Sequence, residues 1–182
     1  MRMLPRIAPL GPPLEAKLRS GCTIQSLSQA AEECVCNGID AGARHIHVQL
    51  SPGTLSLVVT DDGHGIALES MPCLAQQHAT SKLSLAQQLD SGLRTLGFRG
   101  TALASMAQTG RLDITSKAAG AFETHVKSLR CGKLIFLGLA AEQRRTQGTV
   151  VRLSEFLCEQ PVRLRQLTPA RWVRKTFAPF PC

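Results

Sequence analysis

The sequence lacks any long apolar run. Its apolar stretches, such as residues 134–141, hold only a handful of residues, whereas a membrane-spanning helix needs about 20. We therefore expect no membrane partner. Prolines at positions 5, 9, 12 and 13 interrupt the apolar core that a secretory signal would require, so export is not expected either.

The chain also lacks a C-x-x-C pair and any compositionally biased tract. Its seven cysteines stand at positions 22, 34, 36, 73, 131, 158 and 182. This odd, scattered set indicates neither a disulfide framework nor a zinc ribbon, and it is typical of a reducing compartment. Apolar residues make up 43% and charged residues 19% of the chain, which excludes disordered and collagen-like classes.

Acidic residues are in deficit. The chain has 13 Asp and Glu against 21 Lys and Arg, a formal net charge of +8, and this balance favours acidic partners such as nucleic acid. Eight of the basic residues lie in residues 144–175, the basic stretch, with only two glutamates among them. Composition leaves two alternatives open for it, a polyanion-binding surface or a solvated face.

A length of 182 residues fits one domain. Residues 1–13 hold four prolines and no periodic apolar pattern, so we expect a loose lead-in there. We place the domain at residues 14–166 and a divergent, proline-containing tail at residues 167–182.

The order of apolar patterns predicts an α+β fold. A 3.6-residue period predicts a helix that begins after Thr23 or Ser26, and alternation predicts a hairpin over residues 45–50 and 55–60. Next we expect a short helix over 68–77, a long loop over 78–100 with a short helix near 84–89, and a helix over 101–108. Strands are predicted at 112–116, 123–128, 133–137 and 149–153. Strands clustered after helices favour a layered arrangement.

Glu33 and Asn37 stand four residues apart, which puts them on one face of the first helix about 6 Å apart along its axis. Asp40 lies near the same face. This polar stripe is either a solvent-facing surface or one wall of a site. Gly38 costs a helix about 1 kcal/mol relative to Ala, so its presence suggests the close approach of a ligand or of a neighbouring backbone.

Two glycine-containing segments follow. Residues 61–66 read DDGHGI at the end of the predicted hairpin, where a rigid scaffold positions loop residues. An aspartate there can accept a hydrogen bond from an exocyclic amine, and a simple turn is the alternative. Residues 96–100 read LGFRG before a helix, so their backbone N–H groups could bind phosphate, although this is not a Walker A loop.

Five blocks in a fixed order carry a resemblance. They are E-x-x-x-N-x-x-DAGA at 33–43, DDGHGI at 61–66, HATSK at 78–82, LGFRG-x-AL at 96–103 and GT at 148–149. Together they resemble the ATPase region of MutL-type mismatch-repair proteins, members of the gyrase, heat-shock chaperone, histidine kinase and MutL (GHKL) ATPase superfamily. KLRSG at 17–21, EE at 32–33 and PVR at 161–163 look most like the third eukaryotic MutL homologue, a meiotic and repair paralogue.

The resemblance implies a fold and a set of roles. The fold would be a two-layer sandwich whose mixed sheet is covered on one face by helices, truncated before the family's second domain. Glu33 would be the general base that activates water, and Asn37 a ligand to Mg²⁺ on the phosphates of ATP. Asp61 would accept from the adenine amino group, with Gly65 leaving room for the base and Thr149 supporting that contact. The other implied ATP-binding residues are Thr80, Ser81, Lys82, Gly97, Phe98, Arg99, Gly100, Ala102 and Leu103.

The resemblance also implies surroundings for the site. It implies slow ATP hydrolysis as a switch, a second MutL homologue as heterodimer partner, a nuclear location, and DNA bound through Arg163 and Arg165 of the basic stretch. In the family a lysine from the second domain reaches the γ-phosphate, and that domain is absent here. A nucleotide-sensing DNA-binding or protein-interaction module without useful turnover is therefore the alternative.

Overall fold

The computed structural model describes residues 24–76, 101–158, 160 and 164. The helices there are α1 (Leu27–Asp40) and α2 (Ala102–Thr109). The strands are β1 (Ile46–Ser51), β2 (Ser56–Asp61), β3 (Arg111–Lys117), β4 (His125–Arg130), β5 (Lys133–Leu139) and β6 (Gly148–Ser154). Each lies within two residues of the corresponding prediction.

Helix α1 begins where its capping residue allows. Ser26 has extended backbone angles, and its Oγ accepts a hydrogen bond from Gln29 N at 3.1 Å, which satisfies one of the free donors of the first turn. The buried positions of the helix follow the spacing of a single face. They are Leu27, Ala30, Ala31, Cys34 and Gly38.

The sheet has the order β1-β2-β6-β3-β4-β5. All five neighbouring pairs are antiparallel, whereas the family resemblance predicts a mixed sheet. The β1–β2 and β4–β5 pairs are antiparallel because a short connection reverses the chain between their strands. Strand β6 lies between β2 and β3 and runs opposite to both. The α+β arrangement is confirmed, and the mixed sheet is corrected to an antiparallel one for these strands.

Both helices cover the same face of the sheet. One row of apolar side chains crosses β2, β6, β3 and β4 in register, and a second row crosses β2, β6 and β3. These rows pack against α1 and against Met106 and Ala107 of α2, and each large side chain buried there contributes about 1.5–3 kcal/mol. The rows are Leu57, Leu153, Leu112 and Leu129, and Val59, Val151 and Ile114.

The predicted helix over residues 68–77 is wrong. The structure has a single 3₁₀ turn at Leu68–Ser70, followed by further turns. Pro72 has no N–H to give to a helix, and the Lys127 ammonium takes the carbonyls of Pro72 and Leu74, each at 2.7 Å. A tertiary contact that the local pattern could not reveal therefore decides this segment.

Several expectations cannot be compared with the fold. The lead-in over 1–13, the loop over 78–100 with its short helix and the tail over 167–182 lie outside the described residues. Within those residues, neither α1 nor α2 has the length and apolar character to cross a membrane.

We predict that Lys127→Met destabilises the fold. The Lys127 side chain is buried, burial lowers the pKa of its ammonium group, and both carbonyls that it holds would lose their donor. The free energy of unfolding should fall by about 1–3 kcal/mol, as measured by urea denaturation. Lys133→Met is the control, because Lys133 is exposed at the start of β5. Equal stability of the two variants would contradict the assignment.

Candidate functional site

Polar groups from four elements meet at one end of the sheet. Asp61 ends β2, Thr149 lies next to the start of β6, and Ser116 lies near the end of β3. The C-terminal half of α1 borders the same end, since Ala41 O, just after the helix, accepts from His64 N of the following loop at 2.9 Å. This end of the sheet is the candidate site.

Asp61 is buried and only partly used by the protein. Its Oδ1 accepts hydrogen bonds from Gly63 N at 3.0 Å and from Thr149 N at 3.3 Å. Within the described ranges, Oδ2 accepts no hydrogen bond. The carboxylate is therefore held in a fixed orientation by one oxygen, and the other oxygen is available to a ligand that brings a donor.

Glycine is required at two positions beside Asp61. Gly148 has φ +120, and a Cβ there would overlap the Asp61 carbonyl oxygen. Gly65 has φ +69, and a Cβ there would overlap the carbonyl oxygen of Lys117. The steric demand at Gly65 thus comes from the β3 backbone, and its role in leaving room for a ligand remains a prediction.

Gly38 lets α1 approach the end of β2. A Cβ on Gly38 would lie 2.9 Å from Ile46 Cδ1 and 3.4 Å from Asp61 Cβ. Two side chains of the sheet therefore occupy the space that the sequence assigns to a ligand or a neighbouring backbone. The glycine brings the polar stripe of α1 next to Asp61.

Glu33 and Asn37 lie half-buried on α1. Cys34, between them in sequence, reports on the local electrostatics: burial raises the pKa of its thiol to about 12, and the negative charges of Glu33 and Asp61 add to the effect. The structure therefore brings the predicted base and the predicted adenine acceptor into one region. Glu33 and Asn37 on α1 therefore border the same region as Asp61 and Thr149, and the roles of these four residues remain predictions.

The neighbouring Asp62 carboxylate forms hydrogen bonds with the connection between α1 and β1. Its Oδ1 accepts from Arg44 N at 2.7 Å and from His45 N at 2.9 Å, and its Oδ2 lies 2.8 Å from His45 Nδ1. The backbone and side-chain hydrogen bonds from His45 lower the pKa of Asp62 to about 2. Asp62 fixes the connection between α1 and β1 and is committed to that contact.

Ser116 is a site residue that the sequence analysis missed. Its Oγ accepts from Ile66 N at 2.9 Å, contacts Thr149 Oγ1 at 2.9 Å and donates to Gly148 O at 3.2 Å. It joins the DDGHGI loop to the start of β6. The available signal was a polar residue that continues the inward alternation of Leu112 and Ile114.

Arg144, the first residue of the basic stretch, is also part of this scaffold. Its Nη2 donates to Asp61 O at 3.1 Å, and its own carbonyl accepts from Lys117 Nζ at 3.0 Å. Arg144 is half-buried. This arginine supports the site from within the protein, so the solvated-face and polyanion-binding alternatives do not apply to it.

Ala102 and Leu103 are the first two residues of α2. The N–H groups of a first helical turn have no acceptor within the helix, and the Thr101 side chain does not cap α2. This position suits the phosphate-binding role that the resemblance implies for them, which remains a prediction. The other predicted residues lie outside the described ranges: Thr80, Ser81, Lys82, Gly97, Phe98, Arg99, Gly100, Arg163 and Arg165.

The donor chemistry around Asn37 fits magnesium only if the ion arrives with a phosphate ligand. Within the described residues, no group of three or more His, Cys, Asp or Glu side chains could hold a metal by itself. Mg²⁺ in nucleotide sites commonly takes one or two protein oxygens, with phosphate and water completing the shell. A single amide oxygen from Asn37 agrees with that pattern.

Comparison with known proteins identifies the family. The family described as "Histidine kinase-, DNA gyrase B-, and HSP90-like ATPase" matches residues 24–135. The chain belongs to this ATPase family. The match includes α1, the hairpin, the DDGHGI loop and β3, whereas β6 with Thr149 lies beyond it.

Named relatives of this ATPase domain are mismatch-repair proteins. The chain is 31% identical over 161 residues to the DNA mismatch repair protein MLH3 of Arabidopsis thaliana, covering 88% of this chain and 14% of that protein. It is 34% identical over 157 residues to human Mlh3, covering 86% of this chain and 11% of that protein. The chain thus spans a small part of the length of these relatives.

The fold is shared with a solved MutL structure. The Aquifex aeolicus MutL ATPase domain complexed with ADP superposes with a TM-score of 0.60, covering 82% of this chain and 50% of that one. At 18% identity this likeness shows the GHKL ATPase fold.

We predict that Ser116→Ala loosens the site. The substitution removes the hydroxyl that hydrogen-bonds to Ile66 N and to Thr149 Oγ1. Because a buried polar group without a hydrogen-bond partner costs about 1–3 kcal/mol, the free energy of unfolding should fall. Thermal and urea unfolding should show this loss. Thr115→Ala is the control, because Thr115 faces the opposite side of β3. A Ser116→Ala variant as stable as Thr115→Ala would rule out the bridging role.

Proposed function

We propose that this chain is the ATP-binding and slowly ATP-hydrolysing module of a MutL-type mismatch-repair protein. The observation that supports it most directly is the Asp61 carboxylate, which is fixed through Oδ1 and keeps Oδ2 available. Membership of the ATPase family and the ADP complex of the related fold agree with this proposal.

Asp61 suits adenine for a chemical reason. An ionised carboxylate only accepts hydrogen bonds, and adenine carries an amino donor where guanine carries a carbonyl acceptor. The Asp61 Oδ2 would accept from that amino group, while the Ser116 bridge holds Thr149 beside it. A guanine carbonyl would place a second acceptor opposite the carboxylate, with no proton to form a hydrogen bond between the two oxygens. The site should therefore prefer ATP to GTP.

The phosphates would extend from the base along α1 towards α2. Asn37 would give its amide oxygen to the Mg²⁺ that accompanies them, and that ion would neutralise phosphate charge when bound. The first N–H groups of α2, at Ala102 and Leu103, would donate to phosphate oxygens near the positive end of the helix dipole. This placement uses the polar stripe of α1 on the side that faces Asp61.

Glu33 would act as the general base for hydrolysis. A half-buried carboxylate near the phosphates can take a proton from water as that water attacks phosphorus. Turnover would be slow, as the family resemblance implies, and slow turnover suits a switch. A nucleotide-sensing module without useful turnover is the alternative.

The wider role is proposed by family. The relatives are named as DNA mismatch repair proteins, and we propose that this module works in the nucleus, within a heterodimer with a second MutL homologue, in repair and meiotic recombination. We also propose that Arg163 and Arg165 contact DNA phosphates. Such contacts would position the protein without reading bases.

The first functional prediction concerns Asp61→Asn. The amide can keep its oxygen towards Gly63 and Thr149, which turns a donor towards the adenine amino group and removes the charge. Calorimetry with Mg-ATP should show an affinity that is weaker by about 10- to 150-fold. This factor corresponds to the free energy that a hydrogen bond to a charged group contributes. The preference of the wild-type chain for ATP over GTP should also shrink.

The adjacent Asp62→Asn is a matched control. Asp62 is bound to Arg44 and His45 rather than to the site, so its substitution should leave ATP affinity unchanged, with folding checked by circular dichroism. Asp61→Asn with full ATP affinity, or equal binding of ATP and GTP by the wild-type chain, would overturn the adenine assignment.

The second functional prediction separates binding from chemistry on α1. Glu33→Ala should keep ATP binding nearly intact and lower phosphate release by roughly 10² to 10⁴. Asn37→Ala should weaken the magnesium-dependent part of binding. Glu32→Ala is the control, because Glu32 is exposed on the adjacent position of α1, and it should change neither quantity.

Two results would change the proposal. Loss of binding alone in both Glu33→Ala and Asn37→Ala would remove Glu33 as the base. A wild-type chain that binds Mg-ATP but releases no phosphate above a heat-inactivated sample would replace the ATPase with the nucleotide-sensing alternative.

A further inference from the structure

Two thiols come together far from the nucleotide site. Cys131 lies in the turn between β4 and β5, and Cys158 lies shortly after β6, with their Sγ atoms 3.6 Å apart. They are 27 positions apart in sequence. Cys158 is exposed and Cys131 is half-exposed, so dissolved reagents can reach the pair.

The backbone sets this proximity. Cys131 N donates to Gly110 O at 2.9 Å, and Leu157 N, next to Cys158, donates to Thr109 O at 2.7 Å. The two turns that carry the thiols are therefore both attached to the junction between α2 and β3. An ion pair between Arg130 Nη2 and Glu155 Oε2 at 2.8 Å joins the same two segments.

The two turns also hold unusual backbone conformations. Cys131 has φ 49, Glu155 has φ 53 and Leu157 has φ 62. Residues with a side chain rarely adopt this left-handed region, and they keep it only where the surrounding structure imposes it. The thiols are thus presented by turns whose shape is imposed by the fold.

We propose that Cys131 and Cys158 are a redox modification site that forms a reversible intrachain disulfide with a low-molecular-weight disulfide such as oxidised glutathione. The Sγ atoms need to close from 3.6 Å to about 2.05 Å, the length of a disulfide bond. Side-chain rotations and a small movement of the exposed Cys158 turn can supply that change.

The exchange is balanced in two steps. The Cys158 thiolate attacks glutathione disulfide, which breaks the S–S bond of the reagent and releases one glutathione thiolate. The Cys131 thiolate then attacks the Cys158 sulfur of the mixed disulfide and releases the second. The two protein thiols lose two electrons and two protons, and one glutathione disulfide becomes two glutathione thiols.

The bond would stabilise one end of the domain without touching the other. It would tie the segment that leaves β6 to the β4–β5 turn. Along β3, Arg111 pairs with Arg130 and Ser154 at the thiol end, and Ser116 pairs with Thr149 at the nucleotide end. Five residues of strand separate these ends by about 17 Å, so ATP affinity should not change on oxidation.

Other described thiols provide comparisons. Cys34 is buried, with its Sγ 3.9 Å from Met106 Sδ, and glutathione cannot reach it in the folded chain. Cys73 is exposed, so it can accept a glutathione as a mixed disulfide. Cys73→Ser is therefore the matched control for loss of an accessible thiol.

The test is native oxidation of the 182-residue chain with a glutathione redox buffer. Mass spectrometry should find a form lighter by two hydrogen atoms, and trypsin should release peptide 131–133 linked to peptide 153–163. Cys131→Ser and Cys158→Ser should each abolish this linked pair, whereas Cys73→Ser should retain it. The oxidised chain should melt on the order of 5–15 °C higher, and dithiothreitol should reverse the shift.

Three outcomes would overturn the proposal. Cys158 could form the mixed disulfide with glutathione without Cys131 displacing that glutathione. A product lighter by two hydrogen atoms could still form in Cys131→Ser, with Cys158 linked to another cysteine. The link could form only in urea, which would show that the folded chain holds the thiols apart.

Discussion

The hydrogen bonds to Asp61 Oδ1 constrain the backbone at the end of the sheet that holds the candidate site. They join the last residue of β2 to the loop that follows it, through Gly63, and to β6, through Thr149. Because β6 comes last among the described strands and pairs with β2, these hydrogen bonds join strands that are far apart in sequence at the centre of the sheet. A buried charge needs such partners, and meeting the need with one oxygen leaves the second oxygen for a ligand.

Glycine and arginine at this end follow from the same constraint. Gly38 allows α1 to reach the Asp61 side chain, and Gly148 allows β6 to pass the Asp61 carbonyl. Arg144 then binds that carbonyl from the loop before β6. The neighbouring Asp62 carboxylate binds backbone N–H groups of the α1–β1 connection, so two consecutive carboxylates support different parts of the fold.

Local periodicity was enough to predict the strands and both helices, because α1 and the β1–β2 hairpin bury one face each and their caps and turns are encoded nearby. The ordered motifs were enough to indicate that Glu33, Asp61 and Thr149 lie in one region, and the roles that they imply there remain predictions. Residues that act at long range could not be predicted. Lys127 meets carbonyls 53 and 55 positions away, and Ser116 meets Ile66 at a separation of 50, so no local pattern contains these contacts.

The antiparallel sheet allows the two ends of the domain to change their structure independently of each other. β3 and β6 are paired on both sides, so the centre of the sheet resists deformation, and a change at one end reaches the other only by shifting whole strands. Closely packed interiors rarely allow such shifts at low cost. The end with the candidate site can therefore hold Asp61 in a fixed orientation, while the proposed disulfide between Cys131 and Cys158 would form at the other end without disturbing it.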